Sequence, residues 1–511
     1  MTHCHTTNVI DNDTITKYIL CCGKQQPQGD DSHSLKRTTP CCVLNTQSTK
    51  SEEEKKLVRK INWTLMPFIC LLVAIQYFDK TLLSFTAVLG IYEDTGITHD
   101  QFGWLGAVFY GGFLLTQFSN QYLLQRLPIS KYVGTVCVVW GITLGCHALA
   151  RNFAQLAVLR CLLGFWEGVT YPAVFLLIST HYRRSEQTAW FGIIVIMNAM
   201  SSFIGSLIMF GIGLLDGWYG LRAWKWAMIF WGCITSGFGI LLFLFLADQP
   251  KSRWFRLTSE QEKIVDERVL DNSVIRNTKV KSDQIIEALR EPRLYACILI
   301  SLLQNLQNGA LQTFTSQIIH SMGFSRLITV IMSIPISVSV VVVMTTAILL
   351  SRWLNDICYV AAASHASLAL LGIILLVVLP IGPVQLLGLI LASLSGTSFA
   401  FIQTFISSNC AGYSKKIFYT GMSMIAYCAG NFTGPLLMFE EDAPRYIRAT
   451  ITYAMADVAV VLLFVYLRVT SSREKKRRQE LKNKGLISPP PPNRDEMDLT
   501  DKEDLNFVYR P

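Results

Sequence analysis

Arg160 and Glu167 sit inside an apolar stretch that runs from Leu156 to about Ser179, a length able to cross a bilayer. A charge at the centre of such a helix costs about 3 kcal/mol on insertion scales, so it is usually kept for a role. Seven residues is roughly two helical turns, which puts both side chains on one face. An acid and a base facing the same interior are the parts that a proton- or anion-coupled carrier needs. Gly164 and Gly168, four residues apart, would let a neighbouring helix come close, and Tyr171 and Pro172 follow. Arg160 falls about one turn from the outer end. There it either meets an anion or ties the helix to backbone carbonyls of a neighbour. Glu167 falls near the middle, where a carboxyl out of water can take up a proton near neutral pH, and it is expected to serve coupling or gating.

Three further polar sets occur in apolar surroundings. The first apolar run ends in IleGlnTyrPheAspLys, which places Gln76, Asp79 and Lys80 near the far end of a helix. Asp79 and Lys80 point about 100° apart, so only one faces the centre squarely. Either one of them serves function, Lys80 by attracting an anionic substrate or Asp79 by carrying a proton, or Lys80 snorkels to the outer surface as half of an interfacial pair. In the seventh run, Gln304, Asn308 and Gln312 recur at i, i+4 and i+8 and form one polar stripe, flanked by Asn305 and Gln307. Amides at this density suit a cavity lining. The alternative is interhelical hydrogen bonding, worth about 0.6 kcal/mol on average in such bundles. Asn198, Gln403, Tyr427 and Asn431 are single polar residues in other runs, and each taken alone reads first as helix packing.

The elements that must position these residues follow from composition. Of 511 residues, 51% are hydrophobic and only 16% charged, and mean hydropathy is +0.37. A soluble domain carries about a quarter charged residues. Apolar runs of roughly twenty residues recur near 62–83, 101–124, 132–150, 156–180, 187–212, 225–246, 293–313, 326–350, 357–380, 384–407, 418–439 and 447–468. This predicts an all-α, polytopic membrane protein with 12 transmembrane helices in two bundles of six.

The predicted divisions are a disordered cytosolic tail over 1–60, a six-helix bundle over 61–247, a charged linker over 248–292, a second bundle over 293–469 and a disordered tail over 470–511. The linker contains a capped amphipathic helix beginning at Thr258 or Ser259. The end of the chain is charged and carries the run Pro489–Pro492.

Lys and Arg near the run ends set the orientation. Lys55, Lys56, Arg59 and Lys60, then Arg126 and Lys131, Arg183 and Arg184, Lys415 and Lys416, and the cluster from Arg473 all fall on one side if there are twelve spans. Glu93, Asp94, Asp100, Glu440, Glu441 and Asp442 fall on the other, so both termini are expected in the cytosol. Arg222 and Lys225 lie on the wrong side of this pattern. The net charge of +9 is therefore a topology signal, and no nucleic-acid partner is expected.

The first sixty residues hold no long apolar core of the signal-peptide kind. They contain Cys4, Cys21, Cys22, Cys41 and Cys42, read as reduced cytosolic thiols, with acylation of one pair as the alternative. The chain has no GxxxxGK[ST] loop, metal-ligand cluster or nucleophile elbow, so neither an ATP motor nor an enzyme is expected, and no cofactor. His147, His181 and His365 stand isolated in the sequence.

Two sets of six helices around a charged linker resemble the major facilitator superfamily. Arg160, Gly164, Glu167 and Gly168 fit it, as do TyrPheAspLys at 77–80 and LeuPro followed by Lys131. The string from Asn409 to Lys416, Gly430-Asn431-PheThrGlyPro and Asp442-AlaProArgTyr446 sharpen the likeness to the fungal allantoate permease family of anion:cation symporters, including the branch of the yeast thiamine-pathway transporter. The resemblance covers roughly 55–470 and the acidic-aromatic chain end. It departs at Asn120–Lys131, where the superfamily's usual acidic residue is missing.

The resemblance implies proton-coupled uptake of a small organic anion or vitamin (an allantoate-, nicotinate- or pantothenate-like carboxylate) across the plasma membrane. It implies a monomeric carrier working by alternating access around a midplane site. Two other functions compete. Efflux of a toxin or secondary metabolite loses weight because residues 190–213 hold no proline of the antiporter kind. A non-transporting nutrient sensor would signal through tails that are short here.

Overall fold

The computed structural model describes residues 52–272, 281–354, 356–486 and 498–510. The cysteines expected to be thiols in the N-terminal tail, and the run Pro489–Pro492, lie outside the described residues. Every regular element described is helical. The first half contains α1 (Glu52–Val88), α2 (His99–Arg126), α3 (Ile129–Cys146), α4 (Phe153–Glu167) continued by α5 (Thr170–His181), α6 (Arg184–Gly213) and α7 (Ala223–Phe245). Two linker helices follow, α8 (Ser259–Asn272) and α9 (Ser282–Leu289).

The second half contains α10 (Pro292–Ser321), α11 (Arg326–Ile331) with α12 (Ser333–Leu354), and α13 (Ile357–Ser364) with α14 (Leu371–Val378). It is completed by α15 (Gln385–Ala392) with α16 (Thr397–Asn409), α17 (Tyr413–Leu436) and α18 (Ile447–Asn483). Grouped across their breaks, these helices are consistent with twelve crossings. Nine of the rods among the described residues are long and apolar enough to span by composition alone. The three others of spanning length, α2, α10 and α17, carry polar side chains that face the interior, which lowers their hydropathy.

Glycine sets how closely the helices approach. A Cβ on Gly112 would stand 2.0 Å from the Cys161 carbonyl oxygen, and one on Gly164 would stand 1.9 Å from that of Phe109. Helices α2 and α4 therefore touch backbone to backbone, which fixes α4 and both of its ionisable residues. Gly430 and Gly434 do the same for α17 against α10, each facing an α10 carbonyl at 2.4 and 2.0 Å.

The halves meet along α1 with α10, α2 with α17, and α6 with α11 and α12. The hydrogen bonds joining them gather toward the end opposite the chain termini. Ser84 pairs with Ser316 at 3.0 Å, Gln317 donates to Tyr92 at 2.7 Å, and Arg326 bonds Glu93 at 2.8 Å. There, too, His99 meets the Tyr446 hydroxyl at 2.9 Å and stacks on the Phe314 ring at 4.6 Å. The two cations that broke the charge pattern are explained at this end, because Arg222 and Lys225 both pair with Asp94, at 3.1 and 3.0 Å.

The chain ends differ from the expectation of plain disorder. Helix α1 already runs from Glu52, nine residues into the expected tail. Glu54 is buried where Arg268 of α8 reaches it at 2.8 Å while also bonding Glu186 at 2.5 Å, so the linker helix is pinned to the first half. The reciprocal bonds of Thr258 and Gln261, at 3.3 and 3.4 Å, begin α8 where the capping pattern placed it. Helix α18 continues to Asn483, and residues 498–510 fold back onto the second half around Asp501 and Tyr509, both buried. A composition rich in charge did not forecast this, because polar contacts with distant partners, more than apolar burial, anchor the segment.

Candidate functional site

Helix α1 delivers three of the candidates in successive directions. Gln76 is fully buried and donates its amide to Glu167 Oε2 at 3.0 Å. Asp79 is fully buried within the first half and accepts from Thr235 of α7 at 3.2 Å. Lys80, about 100° further round on the helix, points away from Asp79 and stands among aromatic rings. Its Nζ lies 5.0 Å from the Phe113 ring, 5.7 Å from Tyr171, 5.8 Å from Phe109 and 6.0 Å from Tyr110. The expected alternative of Lys80 snorkelling to the outer surface is therefore corrected. The ring faces hold the ammonium inside.

Arg160 and Glu167 are both buried, as two turns of one helix face require. The guanidinium lies within electrostatic reach of both Glu167 and Asp79. Arg160 is 2% exposed in this conformation. Here it is the internal counter-charge of two carboxylates. Gln76 Oε1, Asp79 Oδ1, Arg160 Nη2 and Glu167 Oε1 have no hydrogen-bond partner among the described residues. The set thus holds two cations and two anions, with bonding capacity left on each acid.

Tyr171 closes the ring set and accepts from Asn198 of α6 at 3.3 Å. Tyr110 reaches across and donates to Gln312 at 2.5 Å, which joins the halves beside Lys80. The Tyr427 ring packs 6.1 Å from Tyr110 and 4.8 Å from Phe399.

Of the two readings of the α10 amides, interhelical hydrogen bonding holds for Asn305 and Asn308. Asn308 donates to Asn431 at 3.0 Å, and Asn431 donates to Asn305 at 3.1 Å, so these three knit α10 to α17. Gln307 donates to the Ala392 carbonyl at 2.9 Å. Gln403 donates to Ser423 at 3.1 Å. Gln304 is buried, and neither its amide oxygen nor its nitrogen has a partner among the described residues. The structure therefore brings Gln76, Asp79, Lys80, Arg160, Glu167, Tyr171 and Asn198 together in the first half, while Asn305, Asn308, Asn431 and Gln403 mainly bond other helices.

Two groupings escaped the sequence reading. His365 is not isolated. Its Nε2 meets Asp457 Oδ1 at 2.9 Å and its Nδ1 meets Ser398 Oγ at 2.8 Å, and all three residues are buried. Asp457 lies in the apolar run of α18, where a lone acid was itself a signal. The aromatic set around Lys80 was also missed, since its members come from two helices other than that of Lys80, α2 and α5. His147 and His181 fit their isolated reading, each bonding a carbonyl four residues back at 2.9 Å.

Glu287, Glu291 and Asp501 approach as a metal site would, but the Lys415 ammonium touches all three at 2.6–2.8 Å and already supplies their cation. A cavity of about 340 Å³ opens at the end opposite the termini, between Tyr92, Gln317, Arg326 and Tyr446, and contains none of the candidate residues.

Two helical halves joined across a polar interior, with buried charges on the fourth crossing, define a membrane transporter. Residues 69–435 match the Major Facilitator Superfamily, and the chain belongs to that family. It is 33% identical to an uncharacterized transporter of Schizosaccharomyces pombe over 460 residues, covering 90% of each chain. It is 30% identical to allantoate permease of Saccharomyces cerevisiae over 477 residues, covering 90% of this chain and 87% of the relative. The thiamine pathway transporter of the same yeast is 29% identical over 468 residues, with the same coverage. Among solved structures, a D-xylose-proton symporter superposes with a TM-score of 0.60 at 13% identity, covering 80% of this chain and 97% of its own. The protein is a transporter and not an enzyme.

Proposed function

We propose that this transporter imports a small organic anion together with a proton. The observation that carries the reading is Lys80, an ammonium held among four aromatic rings beside two buried carboxylates and a buried guanidinium. Lys80 and Arg160 balance Asp79 and Glu167. An anion bound at Lys80 leaves one negative charge in surplus in a low-dielectric interior, where unbalanced charge is costly. A proton on Glu167 or Asp79 removes that surplus. The empty and doubly loaded sites are then both neutral, and these are the states in which the halves can rock past one another. The name of allantoate permease, a carboxylate carrier by that name, supports a carboxylate as the anion. The rings suit a ligand whose carboxylate meets Lys80 and whose planar or apolar body lies along them.

The charge pattern supports cytosolic termini, so the closed end, with Glu93, Asp94 and Asp100, is the outer side. The plasma membrane is the proposed location, and the carrier works as a monomer. Growth rescue of uptake-deficient yeast across a panel of carboxylate vitamins and nitrogen sources identifies the anion. Its labelled uptake should then collapse when a protonophore dissipates the gradient. Uptake that keeps concentrating the anion without a proton gradient would refute the proposal.

A further inference from the structure

Residues 498–510 are seated on the terminus-side face of the second half by polar contacts, with little apolar burial. Only Thr500, Asp501 and Tyr509 are buried, while the apolar side chains of Leu505 and Val508 are 46% and 64% exposed. Asp501 is the anchor. One of its oxygens takes the Lys415 ammonium at 2.6 Å, and the other takes Arg293 at 3.0 Å and the Tyr509 hydroxyl at 2.6 Å. The Tyr509 ring lies between two guanidiniums, 4.8 Å from Arg293 and 4.7 Å from Arg478. Arg478 also donates to the backbone carbonyl oxygens of Asp501, Asp504 and Phe507, at 2.8–3.0 Å. The Asn409 side-chain amide donates to the Arg510 carbonyl and accepts from the Arg510 N–H, both at 2.8 Å.

The receiving face is built for an anion. Arg293, Lys415 and Arg478 converge on the segment, whereas Glu287 and Glu291 are the acids that share Lys415 with Asp501. Burial pushes the Asp501 carboxyl up, but Lys415 and Arg293 outweigh it and hold the group below the usual carboxylate range, so it docks as an anion. Charge-assisted bonds of this kind are short, directional and reversible. Apolar burial by the segment amounts to little more than one tyrosine ring.

We propose that this face is a binding site for an acidic, tyrosine-bearing peptide, and that residues 498–510 are its detachable built-in ligand. Docked, the segment bridges α9, the starts of α10 and α17, the end of α16 and the extension of α18, and fastens them so that the second half moves as one body. Thr500 makes the site sensitive to added charge. Its hydroxyl donates to Glu287 at 3.0 Å, so a phosphate on that oxygen would meet a carboxylate directly and add charge beside Glu291 and Asp501, whose cations Lys415, Arg293 and Lys502 are already paired.

The test uses the purified full-length carrier and a fluorescent synthetic peptide of residues 498–510. In the wild type the tethered segment holds the site at a millimolar effective concentration, so the added peptide binds weakly. In the full-length Asp501→Asn variant the tethered copy is loosened, and the added peptide should bind at least tenfold more tightly than to wild type. The same peptide carrying phosphothreonine at 500 should bind that variant at least tenfold more weakly than the unmodified one. Hydrogen exchange in the first turn of α17 should speed up in the variant and return to the wild-type rate when peptide is added. If Asp501→Asn does not yield a monodisperse carrier, Tyr509→Phe gives the same readout with a smaller shift. A folded variant that binds peptide no better than wild type, or exchange that stays unchanged, overturns the proposal.

Discussion

Replacing Lys80 by Gln removes the ammonium but keeps a side chain of similar reach among Phe109, Tyr110, Phe113 and Tyr171. A carboxylate about 4 Å from that ammonium is attracted by about 4 kcal/mol at an effective dielectric near 20. Stripping water from both ions takes back part of this, and net losses for charged hydrogen bonds are about 1.5–3 kcal/mol. The expected rise in KM for the anion is therefore about 12- to 150-fold. The remaining charges are Arg160 against Asp79 and Glu167, so the variant's empty site carries one net negative charge and resists an anion further. A neutral amide analogue should accordingly lose less affinity than the acid, and Lys80→Arg should recover part of the binding. The assay is initial-rate uptake of the labelled carboxylate found by growth rescue, normalised to surface expression of a fluorescent fusion. A KM within twofold of wild type, at equal expression, would refute the assignment of Lys80 as the anion's partner.

Three other outcomes follow from the geometry. Gly164→Ala places a methyl group 1.9 Å from the Phe109 carbonyl oxygen, so α2 and α4 must part. The expected cost is about 1–3 kcal/mol, seen as a lower melting temperature of the purified carrier, with little relief from side-chain motion because the obstacle is backbone. Tyr110→Phe deletes a bond across the halves, and losing about 1 kcal/mol from the closed outer conformation shifts its population about fivefold, measurable by spin-label distances across the outer ends.

His99 lies just before the apolar run that begins at residue 101. Burial lowers its pKa, against the opposing pull of Glu440 and Asp100, so the closed outer end holds it neutral. Its contribution to closure is full above the ordinary value near 6.5 and is lost as the external pH falls through that value toward the lowered one. A Ser316→Cys reporter, in a background without reactive native cysteines, should label faster from outside at pH 5.5 than at pH 7.5. His99→Phe should flatten that dependence.

Much of this arrangement was legible in the residues themselves. Helical spacing put Arg160 and Glu167 on one face, and glycine spacing announced the close approach at Gly164. The Thr258–Gln261 cap began the linker helix where its pattern said. What stayed hidden depends on partners distant in sequence. Asp79 finds Thr235 only because α1 and α7 pack together, and His365 finds Asp457 only across the second half. The rings around Lys80 come from α2 and α5, and no local pattern joins them. The α10 amides left two readings open because a polar stripe looks alike whether it lines a cavity or bonds a neighbouring helix, and α17 supplied the neighbour for Asn305 and Asn308. The chain end misled for the opposite reason, since its composition reports how little it can bury and not how well polar contacts with distant partners can anchor it.

The central claim is that a proton reaching Glu167 accompanies each anion. It is tested most directly in proteoliposomes with an internal pH dye and an inward proton gradient. In the wild type, adding the anion outside should acidify the lumen and drive accumulation above the external concentration. With Glu167→Gln, acidification and accumulation should both vanish, while exchange of labelled for unlabelled anion continues. A Glu167→Gln carrier that still acidifies the lumen and concentrates the anion as the wild type does would contradict the account.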